Sequence, residues 1–372
     1  MANAHNKHQY YIGLMSGTSL DGVDVSIVNF ASWPIEPIYS QTFELPKGMK
    51  ESILSICQGQ SLTLLQLGTL DHQIGLFHSQ CVDNTLYQAG ISAKEVIAIG
   101  SHGQTVYHHP SGDFPFTLQI GDANIIAAQT NITTVGDLRR MDMAYKGQGA
   151  PLVPAFHQAI FTPEQGTNIV LNIGGIANIT VLRQEQATVG YDTGPGNMLM
   201  NAWIEEELNH PYDKNGHWAA QGNLIPELLE TLLQDPYFAL PAPKSTGREH
   251  FNLAWLKQYL QPEYRSVDVQ HTLMYLTAQT IADQINLFSG VKRVIICGGG
   301  IHNHTLFETL KKLLPGRQVI SSIEYGMDPN YVEAIAFAWL AKQRVDKQAG
   351  NLPHVTGAQQ AAILGAIYEP TT

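Results

Sequence analysis

With 372 residues the chain is too long for one comfortable hydrophobic core and fits two domains of ordinary size. Hydrophobic residues make up 44% and charged residues 14%, which excludes a disordered chain and describes a well-buried globular enzyme. The formal charge of −11 excludes a nucleic-acid surface, yet leaves room for an anionic ligand held by backbone N–H groups and a metal ion.

Residues 1–9 are polar and show no charged start, apolar stretch and cleavage site in succession, so a cytoplasmic rather than a secreted protein is expected. Tyr10–Met15 and Val23–Phe30 read as two strands joined by a Gly-containing hairpin, Ile12–Asp24. Residues 48–58 and 62–88 carry helical spacing, the second with Leu64, Leu65, Leu67, Leu70, Ile74, Leu76 and Phe77 on its apolar face. Val96–Ile99 predicts a buried strand running into a Gly-containing loop, Gly100–Thr105. Asp122–Gln129 predicts a helix and Asn131–Val135 a further strand.

The second half repeats this shape. Asn168–Asn172 and Asn178–Leu182 predict strands around the tight turn Ile173–Ala177. Arg293–Cys297 predicts a strand that enters Gly298–Asn303 and then a helix to about Leu314. Pro236, Pro241, Pro243 and Gly247 make 235–252 a loop-rich insertion, while 270–289 and 330–345 predict largely buried helices. The segments starting at Val96 and Val294 match in strand and glycine placement. Internal similarity on this scale implies duplication into two related α/β domains with a cleft between them, where four Gly-rich turns converge. The longest apolar runs, Ala334–Ala341 and Ala361–Tyr368, fall short of the ~20 residues of a membrane span, so no membrane partner is expected. Cys57, Cys81 and Cys297 are scattered, as suits a reducing compartment without disulfides.

Phosphates need converging N–H donors that bulky side chains would block. Gly13, Gly17 and Gly22 in the first hairpin and Gly174 and Gly175 in the second permit that approach. Thr18 and Ser19 add hydroxyl donors, and Asp21 and Asp24 are candidate Mg²⁺ ligands. The same glycines also suit plain hairpins that require positive φ. No P-loop, strand-linked G-x-G-x-x-G or protein-kinase signature occurs, which leaves an actin- and hexokinase-type arrangement with Gly298–Gly300 over the adenine. Asp192 reads equally as a general base or, with Thr193, as a helix cap. Pro195 suits the first turn of a helix Asn197–Leu208. Arg139 or Arg140 can clamp a substrate carboxylate or form an ion pair with Asp137 or Asp142. Glu333 is either functional or a helix-start charge. His108 and His109 lack zinc-site spacing.

Taken together, Gly13–Asp24, Ser101–Thr105, Gly147–Pro154, Leu171–Asn178, Asp192–Asn197, Gly298–Gly300 and Glu333–Leu340 resemble the anhydro-N-acetylmuramic acid kinase family of bacterial cell-wall recycling. The strings Met15–Gly22 and Asp192–Asn197 are specific to that family, and the likeness spans almost the whole chain. The resemblance implies two related RNase H-like domains of the actin and hexokinase type flanking a nucleotide cleft. The N-terminal lobe would take residues 1–130 with 346–372. The C-terminal lobe would take 131–345, with the second hairpin, the adenosine loop and the catalytic aspartate. The resemblance also implies a kinase that consumes ATP with Mg²⁺, opens 1,6-anhydro-N-acetylmuramic acid with water and phosphorylates O6. The alternatives are an ordinary amino-sugar or hexose kinase, or a non-catalytic sensor on the same fold.

For the site, the resemblance implies Asp192 as base, with Glu333 orienting water or sugar. ATP would meet Gly17, Thr18, Ser19, Leu20, Asp21, Gly22, Val23 and Asp24 of the first hairpin. It would also meet Gly174, Gly175 and Asn178 of the second, and Gly298, Gly299 and Gly300. Gln104, Thr105, Arg139 and Arg140 are expected near the sugar, and Asp21 and Asp24 near the metal. Met15 and Asn172 stand where the wider superfamily carries aspartates, so its metal ligands do not transfer directly. The partner is a small molecule, and a homodimer is compatible with a sequence that does not determine oligomeric state.

Overall fold

The computed structural model describes residues 8–17, 20 and 22–371. The first unit opens with β1 (Tyr10–Ser16), β2 (Val23–Asn29), β3 (Glu36–Phe43), α1 (Lys47–Cys57) and α2 (Leu64–Ala89). It continues with β4 (Val96–His109), β5 (Phe116–Ile120), α3 (Ala123–Thr130), β6 (Thr134–Gly136) and α4 (Arg140–Ala144). Helix α5 (Val153–Phe161) carries the chain into the second unit: β7 (Thr167–Ile173), β8 (Ile176–Arg183), β9 (Val189–Pro195), α6 (Met198–Leu208), α7 (Pro226–Leu233) and α8 (Pro236–Ala239). Then follow α9 (Leu253–Lys257), α10 (Ser266–Asn286), β10 (Val291–Cys297), α11 (His304–Leu313) and β11 (Gln318–Ser321). The chain returns to the first unit with α12 (Val332–Val345), α13 (Pro353–Thr356) and β12 (Ala366–Tyr368).

The first sheet runs β12-β6-β4-β1-β2-β3, with β5 added on β4; the second runs β11-β10-β7-β8-β9. Without β5 and β12 the two are the same ladder. In each, three antiparallel strands come first in the chain, and two more then join in parallel on the far side of the first strand. The two units are therefore related α/β folds, as the repeat in the sequence implies. The matched segments at Val96 and Val294 lie on equivalent strands, β4 and β10.

Local chemistry explains the main boundaries. Thr63 and Gln66 form a capping box at the start of α2, and Gly90, in the left-handed region at φ 66°, ends it. Leu70, Ile74, Val82 and Leu86 of α2 are buried under the first sheet's apolar face; Leu64 and Leu65, expected on that face, sit in the opening turn and are exposed. Strand β4 does not stop at Ile99. It continues to His109 because Gly100, Ser101 and Gln104 keep pairing with β1 and the next residues pair with β5. Pro195 closes β9 instead of opening α6.

The units divide after Phe156 and on the return near Tyr331, whereas the expected lobes divided at 130 and 345. Strand β6 pairs with β4, and α12 packs on β1 and β4, which keeps both segments with the first unit. Gly13 and Gly100 show how close α12 lies. A Cβ on Gly13 would stand 1.8 Å from the Ala334 carbonyl oxygen, and one on Gly100 would stand 2.0 Å from that of Phe337. Gly13 thus serves helix–sheet packing from mid-strand, not the phosphate turn.

Asp142 of α4 is fully buried and forms no ion pair among the described residues. Its Oδ1 accepts from Asn351 Nδ2 at 2.6 Å and Thr356 Oγ1 at 2.7 Å, and its Oδ2 accepts from the Gly149 amide at 2.8 Å. The loop 146–151 is thereby tied to the C-terminal segment. Asp142→Ala strands three donors and should lower unfolding stability by about 3 kcal/mol or more, read by urea titration. Cys57, Cys81 and Cys297 are in no disulfide, and no helix among the described residues is long and apolar enough to cross a membrane.

Candidate active site

In the second unit, strand register builds a polar row. Asp192 of β9 stands opposite Asn178 of β8, which stands opposite Asn172 of β7, which in turn pairs with Cys297 of β10. Residues so paired share one face of a sheet. Asp192 is in mid-strand, and the cap position of α6 is Asn197, so Asp192 is not a helix cap. Nor is Thr193, whose hydroxyl donates to the Ala177 carbonyl at 3.1 Å.

The Asp192 carboxylate is held on one side only. Its Oδ2 accepts from the Thr246 amide at 3.1 Å, while Oδ1 accepts no hydrogen bond among the described residues. Burial raises its pKa to about 6, partly offset by the Thr246 N–H. A carboxylate with one oxygen fixed, the other available and a pKa near neutrality has the properties of a general base.

Next to this row lies the turn Gly174–Gly175. The Gly175 carbonyl accepts from the amides of Gly196 and Met198, and the Gly174 carbonyl from that of Asn197 at 2.8 Å. The first amides before α6 are therefore occupied by the hairpin. Gly196 must be glycine, since its Cβ would stand 2.4 Å from the Gly174 oxygen. A Cβ on Gly175 or Gly299, by contrast, would meet almost open space. These are positions where a ligand can approach backbone. Gly298, at φ 81°, and Gly300 are tightly packed on Asn172 and Ile173 and bring the loop after β10 against the second hairpin. Asn178 is half-buried in the polar row.

In the first unit, Thr18, Ser19 and Asp21 lie outside the described residues. The Gly17 carbonyl accepts from the Leu20 amide, and the side chains of Leu20 and Val23 enter the core, leaving only their backbone for a ligand. Gly22 lies against Phe43, whose carbonyl oxygen would be 2.6 Å from a Cβ. Asp24 faces Thr42 on β3, and its Oδ1 accepts from the Thr42 hydroxyl at 2.6 Å. Among the described residues no three His, Cys, Asp or Glu side chains gather to hold a metal. Asp24 offers the hard carboxylate oxygen that suits Mg²⁺.

The four residues expected near the sugar separate. Gln104 is buried and braces the first hairpin, its Oε1 accepting from Ser16 Oγ at 2.5 Å and its amide group donating to the Gly17 carbonyl at 3.4 Å. Thr105 is half-buried and accepts from Gln119. Arg139 is spent on structure: Nε and Nη2 donate to His102 Nε2 at 3.2 and 2.8 Å, and Nη1 donates to the Gly149 carbonyl at 3.1 Å. Because arginine only donates, His102 Nε2 is the acceptor, and Nδ1 carries the proton given to the Ser16 carbonyl at 3.0 Å. Burial and the neighbouring guanidinium lower the His102 pKa to about 3, so the ring is neutral at working pH. Arg140 pairs with Asp137 at 2.6 Å and lines a cavity of about 190 Å³ together with Asp71, Gly103, Gln119 and Asp122. Glu333 is half-buried in the first turn of α12, and its charge opposes the lowering of the Arg139 pKa by burial.

The family model described as "Anhydro-N-acetylmuramic acid kinase" matches residues 9–370. This chain belongs to that kinase family. It is 52% identical over 363 residues to the anhydro-N-acetylmuramic acid kinase of Pasteurella multocida, covering 96% of each chain. It is also 52% identical over 367 residues to that of Vibrio cholerae, covering 98% of this chain and 99% of the relative. Among solved structures, a ROK family glucokinase from Streptomyces griseus in complex with glucose and AMPPNP aligns over 90% of this chain and 99% of its own. That alignment has a TM-score of 0.40 and 13% identity, so the family membership rests on the sequence relatives alone.

For a member of this kinase family, the structure adds residues that motif reading missed. His102 belongs to the string Ser101–Thr105, which by itself marks no role for it; its task appears only when Ser16 and Arg139 are seen on either side. Tyr237, Lys244 and Thr246, in the segment read as a loop-rich insertion, all touch Asp192 or its support. No local pattern marks them.

Proposed function

We propose that this chain is an ATP-dependent anhydro-N-acetylmuramic acid kinase. It opens the 1,6-anhydro sugar with water and phosphorylates O6, giving N-acetylmuramic acid 6-phosphate and ADP in murein recycling, in the cytoplasm where ATP is supplied. The observation that carries this reading is the family match over residues 9–370; the half-held carboxylate of Asp192 supplies its chemistry.

O6 of the substrate is an ether oxygen and has no proton to remove. The base must instead act on the water that attacks C1, and Asp192 takes that proton on its available Oδ1. The C1–O6 bond breaks as the C1–O bond to water forms, and the developing charge on O6 attacks the γ-phosphoryl group of ATP. Glu333 orients the water or the sugar. Backbone amides at Gly17, Gly175, Gly299 and Gly300 hold the nucleotide, those of Gly174 and Gly298 being given to the Ile176 and Pro329 carbonyls. Asp21 and Asp24 would hold Mg²⁺, which when bound spreads the charge on the phosphoryl oxygens. Arg140 fits the lactyl carboxylate better than Arg139, because its guanidinium is exposed on a cavity while that of Arg139 is committed to His102 and Gly149.

The deciding experiment is mass analysis of product formed in ¹⁸O water. Label at C1 with none in the phosphate supports the reading, and label in the phosphate refutes it. The pH dependence follows from Asp192. A base works only when ionised, so kcat should rise with pH through about 6, well above the range of an ordinary aspartate. A kcat profile still flat down to pH 4.5 would remove Asp192 from the role.

A further inference from the structure

We infer that residues 235–247 form a strap that positions the general base, with Lys244 and the Thr246 amide as its two fixing points. The inference rests on the reading of Asp192 as that base.

Strand β9 is the edge of the second sheet, so half of its backbone groups have no strand to pair with. The strap takes that place at Asp192. The Asp192 amide donates to the Lys244 carbonyl at 3.0 Å, the Asp192 carbonyl accepts from the Tyr237 hydroxyl at 2.8 Å, and Oδ2 accepts from the Thr246 amide at 3.1 Å. Both backbone groups and one side-chain oxygen of a single residue are thus held by one segment.

The strap is itself closed by Lys244. Its Nζ donates to the carbonyls of Tyr237 and Phe238 at 3.1 and 3.0 Å, capping carbonyls in the short helix α8, and lies 4.8 Å from the centre of the Tyr237 ring. Asp235 caps the other end of α8 through the Tyr237 amide at 2.9 Å. Tyr237 is 3% exposed and packs edge-on against Phe251, which is fully buried, so the strap is anchored in the core of its unit. Lys244 is buried with no carboxylate in an ion pair with it among the described residues. A buried ammonium without a counter-charge is a poor way merely to close a loop, because its desolvation is only partly offset by two carbonyls. Here it fixes the separation between Tyr237 and Thr246, the two donors that define where Asp192 points.

The test is steady-state kinetics of Lys244→Met, Lys244→Arg, Thr246→Pro, Thr246→Ala and Asp192→Asn in the full chain, with thermal unfolding measured beside it. Lys244→Met should lower kcat at least about tenfold with KM for both substrates within about twofold, since a base displaced by an ångström loses rate and not ground-state binding. Lys244→Arg should recover part of that loss. Thr246→Pro deletes the N–H and should lower kcat likewise, whereas Thr246→Ala keeps it and should remain within about twofold of the parent. The strap is overturned if Lys244→Met keeps kcat within twofold, or if Thr246→Ala and Thr246→Pro fall equally. Should Lys244→Met fail to fold, the Thr246 pair decides. Turnover in Asp192→Asn sinks the base reading itself; a dead Asp192→Asn beside active strap variants sinks only the strap.

Discussion

Asp192→Asn should lower kcat by about 10²- to 10⁴-fold, the usual contribution of a positioned base, while nucleotide affinity stays within a few-fold of the parent. Asparagine is close to isosteric and still offers an oxygen to the Thr246 amide, so the strand and strap geometry persist. The glycine turns at 174–175 and 298–300 are untouched, which is why ATP binding should survive. Stability at pH 7 should not fall. The folded-state pKa of Asp192, about 6, lies above the ordinary value of 3.8, so its stabilising contribution belongs to the protonated form and is lost as pH rises through about 6. At pH 7 the ionised carboxylate is a burden that asparagine removes. Calorimetric titration with an ATP analogue, single-turnover kinetics and thermal unfolding together check this, and substantial turnover in the variant would refute the role.

Gly100→Ala and Gly13→Ala should be the most damaging single-methyl changes in the first unit. The new Cβ at 100 would lie 2.0 Å from the Phe337 carbonyl oxygen and 3.1 Å from the Ala341 side chain. At 13 it would lie 1.8 Å from the Ala334 oxygen and 2.6 Å from the Ala338 nitrogen. Apart from the Ala341 methyl these are atoms of a helix backbone, and none of them can step aside by changing rotamer. Helix α12 must lift from the sheet instead, and overpacking of this kind costs about 3 kcal/mol, or roughly 6–12 °C in thermal midpoint. Because Glu333 sits in the first turn of α12, kcat should drop as well. Gly68 is the control: it lies within α2 with nothing within 4 Å of its Cβ position. Gly68→Ala should stabilise by about 0.5–1 kcal/mol through helix propensity. Equal midpoints for Gly100→Ala and Gly68→Ala would refute the close-packing account.

The contrast between these glycines marks how far sequence reading reaches. Gly13 reads as part of a phosphate turn because it precedes Gly17 and Gly22 in one string, yet it is held mid-strand beneath α12, more than 300 residues away in the chain. Arg139 and Arg140 are equivalent on paper. They separate only when His102 and the Gly149 carbonyl engage all three nitrogens of one guanidinium and Asp137, on an open cavity, takes one side of the other.

By itself the sequence determined many of the strands and helices, an internal duplication into two related α/β halves, and membership of a kinase family with Asp192 as its candidate base. Periodicity, turn residues and family strings are local, and they survive without knowledge of what packs on them. Only the tertiary structure decided which glycines face a helix and which face open space, which arginine is spent, and that a proline-broken insertion straps the candidate base. Those outcomes depend on contacts between segments remote in the chain, where a side chain's role is set by the neighbour it meets rather than by its own chemistry.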